Sequence, residues 1–351
     1  MAAIKSYKGF DKNLKCRGFQ YEIGKEYEMD GEIKVCSRGF HACESPLEVF
    51  DHYSMIGSRF CEVEQDGNIS KEDRGTKICS SKIKIKAELK LDNMINLGVE
   101  WLKDITSPEK IKTSIKDNSS GYNAQIGSSG DGAKIGSSGY NAQIGSSGDG
   151  AQIGSSGNSA QIGSSGDGAK IGSSGYNAQI GSSGNSAKIG SSGYNAQIGS
   201  SGYNAQIGSS GDGAKIGSSG NSAQIGSSGD GAKIGSSGYG AQIGSSGYGA
   251  QIGSSGNSAQ IGSSGDGAQI GSSGDGAKID STGEGCVIMC AGINSVAKAS
   301  KGSWITLSEW SYSDKKQRYI PVCVKTEFVD GEKIKADTYY KLEGGVFKEI
   351  Q

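Results

Sequence analysis

The sequence predicts a mainly β protein: a parallel, two-sided β-solenoid of about 18 residues per coil, preceded by a small α+β domain and closed by a β cap. Three observations carry that prediction. Residues 121–282 repeat every nine residues, every copy holds Ala and Ile at the same two places, and most of the 60 glycines among 351 residues fall in those copies. A fixed short period signals stacked repeats. Glycine content alone would suggest low-complexity disorder, but an apolar residue kept in every copy is what a packed core requires.

Residues 1–118 form the expected N-terminal domain with a cap helix. Ser45-Pro46-Leu47-Glu48 has the form of a capping box with Pro at the first helical position, opening a helix that ends near Tyr53. Ile83, Ile85, Ala87 and Leu89 alternate with Lys82, Lys84, Lys86 and Lys90, as in a half-buried strand with a solvated lysine face. A second helix, near Asn93–Asp104, presents Leu97, Trp101 and Leu102 and leads into Ile105, Ile111 and Ile115. It is expected to cap the first coil.

The solenoid is expected over residues 119–300. Its eighteen regular copies read G-[YDN]-[NGS]-A-[QK]-I-G-S-S, from GYNAQIGSS at 121–129 to GDGAKIDST at 274–282. Ala and Ile, two apart, face one side of a strand, and the Gln or Lys between them faces out. The following G-S-S-G is turn chemistry. Two nonapeptides then make one flat coil, whose thin interior suits Ala facing Ile, whereas a triangular 27-residue coil would leave unfilled space. Nine such coils at about 4.8 Å give a rod of about 43 Å. The pattern then decays: Cys286 and Ile288, then Ser295 and Ala297, hold the Ala and Ile places. Trp304 would fall where Ala belongs, so Trp304, Ile305, Leu307 and Trp310 read as the start of a cap over residues 301–351. Strands are expected near Tyr319–Phe328, Lys333–Lys341 and Val346–Ile350, with Asp330-Gly331 and Gly344-Gly345 as hairpin turns. Whether these strands extend the solenoid or join the N-terminal domain is left open.

Several functions are disfavoured by composition. Lys plus Arg number 36 against 37 Asp plus Glu, a net charge of −1, so no electrostatic case exists for nucleic acid or an anionic membrane as partner. The N-terminal MAAIKSYKGF lacks a secretory pattern, and eight cysteines outside the regular copies are expected as reduced thiols in a cytosol. Asp appears at the second repeat position in too few copies for a calcium roll, and an ice-binding Thr array is missing.

Candidate binding residues are the repeat tyrosines. With period 18, Tyr122, Tyr140, Tyr176, Tyr194 and Tyr248 lie on one edge of the coil stack, and Tyr203 and Tyr239 on the other. They are either a protein- or sugar-binding surface or solvated corners stabilised by ring stacking. Stacked Asp131, Asp149 and Asp167 are a candidate cation site by the same logic, although a paired Lys three residues on cancels most of such charge. Cys36, His41 and Cys43, with Cys61 as fourth ligand, are a candidate zinc set, and His41 with Cys43 a candidate nucleophile pair. The spacing matches no standard knuckle and no orienting acid is evident. The expectation is therefore no catalytic residue, no metal and no cofactor.

Tyr7-Lys8-Gly9-Phe10, Arg38-Gly39-Phe40-His41-Ala42-Cys43 with Ser45-Pro46-Leu47, and Lys301-Gly302-Ser303-Trp304-Ile305-Thr306 resemble the end segments of a family of uncharacterised phage and prophage proteins that flank repeat arrays of variable length. The resemblance implies work in a bacterial cytoplasm or in a virion, with a host or phage protein as partner and the oligomeric state open. The first segment also looks like the mono-ADP-ribosyltransferase pattern of a Y-R-G strand followed by a G-F-[HT] strand. Lys8 stands where that family has Arg, and Glu62-x-Glu64 is displaced from its acidic site, which implies an inactive relative. The expected function is a non-enzymatic binding or inhibitor rod that blocks or sequesters a host factor, including a defence component. A virion fibre and an ADP-ribosyltransferase-like enzyme are the alternatives.

Overall fold

The structure is a computed structural model that describes residues 3–55, 57–71, 76–105, 118–119 and 121–350. Its contacts divide the chain into two compact units, Met1–Trp101 and Leu102–Gln351.

The N-terminal unit contains β1 (Ile4–Phe10), β2 (Lys15–Cys16), β3 (Phe19–Gln20), β4 (Glu26–Glu28), β5 (Phe40–Cys43), β6 (Arg59–Lys71) and β7 (Lys77–Leu89). Its main sheet runs β4-β7-β5-β1-β6, and β6 also pairs with β7, so the sheet closes on itself. The two 13-residue strands bend to reach both neighbours, and register shifts at Glu62/Val63 and Asp66/Ile69 mark where they do so. Closure leaves a core of Phe10, Tyr21, Val63, Ile83 and Ile85. The expected alternation along β7 holds at Ile83 and Ile85 and then fails, because Ala87 is exposed. The lysine face is not merely solvated: Lys82 pairs with Glu26 at 2.8 Å and Lys86 with Glu64 at 2.9 Å.

The capping-box expectation is corrected. Leu47–Asp51 is a single 3-10 turn, and no side chain caps it. Among the described residues the Ser45 hydroxyl has no hydrogen-bond partner. Glu48, expected to reach back to Ser45, instead accepts from the Thr76 N–H at 2.6 Å and from the Thr76 hydroxyl. A buried Thr76 amide beside the start of β7 outcompetes the local bond.

The second helix, α1, spans Leu91–Ile105. Its buried stripe is Met94, Ile95, Val99 and Leu102, whereas Leu97 and Trp101 are half-buried. Gly98 belongs to the same stripe, where a Cβ would lie 2.5 Å from Leu47 Cγ. Ile111 and Ile115 lie outside the described residues.

In the second unit the two-sided solenoid is as expected. Each copy supplies a four-residue strand, and alternate strands fall into two sheets of parallel solenoid strands. Neighbours within a sheet are 18 residues apart in sequence and in perfect register, Ile135 opposite Ile153 and Ile144 opposite Ile162. Ala and Ile point inward, as at Ala160 (0 % exposed) and Ile162 (3 %). The eighth repeat position, Ser, is a third inward column, buried at Ser146, Ser164 and Ser182. The sequence reading placed it in the turn, and it is the last strand residue instead.

Glycine serves three different needs in one nonapeptide. At the first position the coils touch backbone to backbone: a Cβ on Gly166 would lie 2.0 Å from the Gly148 carbonyl oxygen. At the third position the backbone is left-handed, with φ 67 at Gly168, 55 at Asn141 and 56 at Ser159, which explains the Gly/Asn/Ser choice there. At the seventh position neither reason applies on one of the two sheets, as described below.

At the C-terminal end the solenoid continues one strand further than expected. Trp304 pairs with Val287, 17 rather than 18 residues away, and Ile305 with Ile288. The missing residue shifts the frame, so Ser303 fills the buried Ala place and Trp304 turns outward, 47 % exposed. Trp304–Ser313 then forms a hairpin with Arg318–Phe328 on one sheet. Tyr339–Glu343 and Val346–Ile350 extend the other sheet, joined by Gly344-Gly345 at φ 62 and 70. Asp330-Gly331 is thus a crossing between sheets and not a hairpin turn. The predicted strand at Lys333–Lys341 shortens for the same reason, since the chain must first reach the second sheet.

Candidate functional site

Two places in the molecule have the geometry of a site, one in each unit. The first is a cavity of about 440 Å³ in the N-terminal unit, walled by residues of β1, β5, the segment around Cys16-Arg17, the 3-10 turn and Lys77. Lys8, in β1, is its centre. The side chain is 4 % exposed. Its ammonium donates to the His41 carbonyl oxygen at 2.8 Å, lies 3.6 Å from Cys16 Sγ, and sits over the rings of Phe10 and Tyr21 at 5.5 and 5.8 Å. Burial pushes this ammonium below its ordinary range.

Gly9 is needed beside it, because a Cβ there would lie 2.3 Å from the Tyr53 ring. That ring closes one wall, and its hydroxyl meets Cys16 Sγ at 2.9 Å. Burial is also the main cause that raises the Tyr53 phenol. His41 and Cys43, two apart in β5, both line the cavity, as their alternation implies. His41 is already engaged: its Nε2 accepts the Cys36 N–H at 2.9 Å, and Nδ1 faces Cys79 Sγ at 3.9 Å. Burial, then repulsion from Lys8, lowers its affinity for a proton. Cys61 is buried in the core, opposite Lys8 in the β1–β6 pairing, and does not line the cavity with Cys36, His41 and Cys43. Among the described residues no three His, Cys, Asp or Glu side chains converge as a metal ion would need. Glu62 and Glu64 are ion-paired to Lys5 and Lys86.

The second place is the open face of the solenoid sheet built from the strands beginning at Gln125, Gln143, Gln161 and so on. Outward side chains there are Gln or Lys at the fifth repeat position, and the seventh position is Gly. From Gly127 to Gly253 these glycines are exposed, have no positive φ, and a Cβ on any of them would meet nothing within 4 Å. Steric demand therefore does not explain them, and glycine in a strand costs stability. Their effect is a bare trough between a ridge of glutamine amides and a ridge of serines. On the opposite sheet the matching glycines, Gly136 to Gly262, are buried.

The predicted tyrosines are all exposed, from 46 % at Tyr140 and Tyr176 to 69 % at Tyr122. Tyr122 stacks on Tyr140 and Tyr176 on Tyr194, each at 5.3 Å between ring centres. Tyr203, Tyr239 and Tyr248 have no stacked tyrosine beside them, because Asn or Asp occupies the neighbouring coils. Those Asn and Asp residues link coils: Asp131 Oδ1 accepts the Asp149 N–H at 3.0 Å, and Asp149 Oδ1 the Asp167 N–H at 2.8 Å. The candidate Asp131/Asp149/Asp167 cation ladder is a hydrogen-bond ladder. Neither the cavity nor the glycine trough is marked by a motif or spacing in the sequence, where Lys8 stands out only as a departure from the Y-R-G pattern.

No helix among the described residues is long and apolar enough to cross a membrane. A protein-family model described as a domain of unknown function (DUF7666) matches residues 4–97. No curated protein matches the chain, and no solved structure does. The matched segment contains every residue that walls the cavity and none of the nonapeptide copies.

Proposed function

We propose that this chain is a non-enzymatic interaction protein whose solenoid offers its open glutamine–glycine face to a protein partner. The observation that carries the reading is the column of glycines from Gly127 to Gly253, retained at positions where a side chain would fit and would stabilise the strand. A surface kept bare against the interest of stability is the mark of something that must approach the backbone closely. The ridge beside it supplies amide donors and acceptors from its glutamines, interrupted by Lys215 and Lys233. The resemblance of the flanking segments to phage and prophage proteins supports a bacterial cytoplasm as the setting, with a host factor blocked or sequestered along the rod. Exposed Val287, Met289, Trp304 and Phe328 on the last strands favour a virion fibre as the second reading, with these apolar side chains buried between subunits.

The test is capture from host lysate by the full chain and by a Gly163→Val, Gly181→Val, Gly199→Val triple variant. Valine suits an exposed strand position, so the variant keeps the β signal in circular dichroism. The expected result is a partner retained by the wild type and lost by the variant. Undiminished capture by the variant overturns the face assignment. Transfer of label from NAD to lysate proteins that disappears on Lys8→Ala overturns the non-enzymatic reading, and trimers in purified virions select the fibre.

A further inference from the structure

We propose that the cavity of the N-terminal unit is a binding site for a small phosphate-bearing molecule, whose anionic group is taken by Lys8, Arg17 and Lys77. The argument starts from charge. Elsewhere in this unit Lys5, Lys25, Arg59, Lys71, Lys82 and Lys86 each meet a carboxylate within 3.0 Å. The three cations of the cavity do not. Among the described residues, Lys8 has the His41 carbonyl oxygen and Cys16 Sγ as its hydrogen-bond partners, Lys77 has Cys36 Sγ at 3.4 Å, and the Arg17 guanidinium makes no hydrogen bond or ion pair. Among the described residues Asp51 is the one carboxylate in the wall, against the three cations Lys8, Arg17 and Lys77. A buried ammonium without a counter-charge is costly to keep, and an anion in the cavity removes that cost.

Geometry agrees with the charge. Arg17 is held at φ 50, a left-handed backbone that a non-glycine residue adopts at a cost, in the turn between β2 and β3. A guanidinium placed there has its planar fork free for two oxygens of one phosphate. Tyr7, Val49 and Tyr53 supply apolar wall for the organic part of the ligand, and about 440 Å³ is within the size range of small-molecule sites.

The experiment is calorimetric titration of the full-length protein with inorganic phosphate, AMP and adenosine. The expected result is saturable binding of phosphate and AMP, none of adenosine, and affinity weakened by added salt. AMP tighter than phosphate assigns an organic phosphate as the ligand class; equal affinities assign the free anion. Arg17→Ala should weaken binding by about tenfold or more. Arg17 is exposed, so that variant stays informative if Lys8→Met fails to fold. Bound AMP should also protect Cys16 from alkylation, since Cys16 lines the same cavity. Absence of binding by both phosphate and AMP, adenosine binding as well as AMP, or unchanged affinity in Arg17→Ala each overturns the proposal.

Discussion

Alanine placed at the first-position and at the seventh-position glycine of the nonapeptide repeat should have opposite effects on stability. At Gly181 a Cβ meets nothing within 4 Å and the backbone is an ordinary strand. Glycine in a strand costs about 0.5–1 kcal/mol relative to alanine, so Gly181→Ala should stabilise by about that amount. The Gly163→Ala, Gly181→Ala, Gly199→Ala triple variant should gain about 1.5–3 kcal/mol if the sites are independent, somewhat less if adjacent coils couple. At Gly166 a Cβ would sit 2.0 Å from the Gly148 oxygen, 2.5 Å from its carbon and 2.9 Å from the Asp149 nitrogen. All three are backbone atoms, so relief requires the coils to separate and the ladder between them to break. Overpacking against side chains already costs about 1–3 kcal/mol, and a rigid backbone neighbour puts Gly166→Ala at or above the top of that range. Urea unfolding followed by far-UV circular dichroism gives both changes, compared as midpoint shifts because stacked repeats unfold through nearest-neighbour coupling. A triple variant destabilised as much as Gly166→Ala would refute the reasoning. The seventh-position glycines would then serve the fold, and the argument for a functional face would go with them.

Three further outcomes are expected. Ser45→Ala should change stability by only a few tenths of a kcal/mol, against about 1 for a true cap, because its hydroxyl has no partner among the described residues. Glu48→Ala should cost about 1–3 kcal/mol by orphaning the buried Thr76 amide, and a denaturation series in which Ser45 matters more would restore the capping box. His41 binds a proton less readily when folded than its ordinary value of 6.5, so its contribution to stability is complete above that pH and is lost as pH falls below it, when the unfolded chain takes up the proton first. Amide protection factors around Cys36, measured between about pH 8 and pH 5, should fall on acidification and flatten in His41→Gln; a flat wild-type profile counts against this. Burial pushes the thiols of Cys61 and Cys290 up to about 12 and that of Cys79 up to about 11. Alkylation at neutral pH should therefore reach exposed Cys36 first and these three more slowly by a factor of about a hundred or more, which peptide mass spectrometry resolves; equal labelling would contradict their burial.

The solenoid was legible because its information is local and repeated. Ala at the fourth place and Ile at the sixth, copied eighteen times, specify a strand face, and the thinness of that interior selects a coil of two strands. Where the repeat was clear, the register followed with it. What the tertiary structure decided lies where contacts join distant residues or where one atom's neighbour matters. Trp304 turned outward because one residue is missing between Val287 and itself, a frame shift visible only once the strands are paired. Glu48 left Ser45 for Thr76, a buried partner 28 residues on. The cavity around Lys8 draws on six separated stretches of chain, and no spacing in the sequence marks them as neighbours. Glycine makes the same point within nine residues. The letter is identical at the first and seventh places, yet one is held by a carbonyl oxygen 2.0 Å from its absent Cβ and the other by nothing in the fold. A sequence records that the side chain is missing; only the packed coils show whether there was room for one.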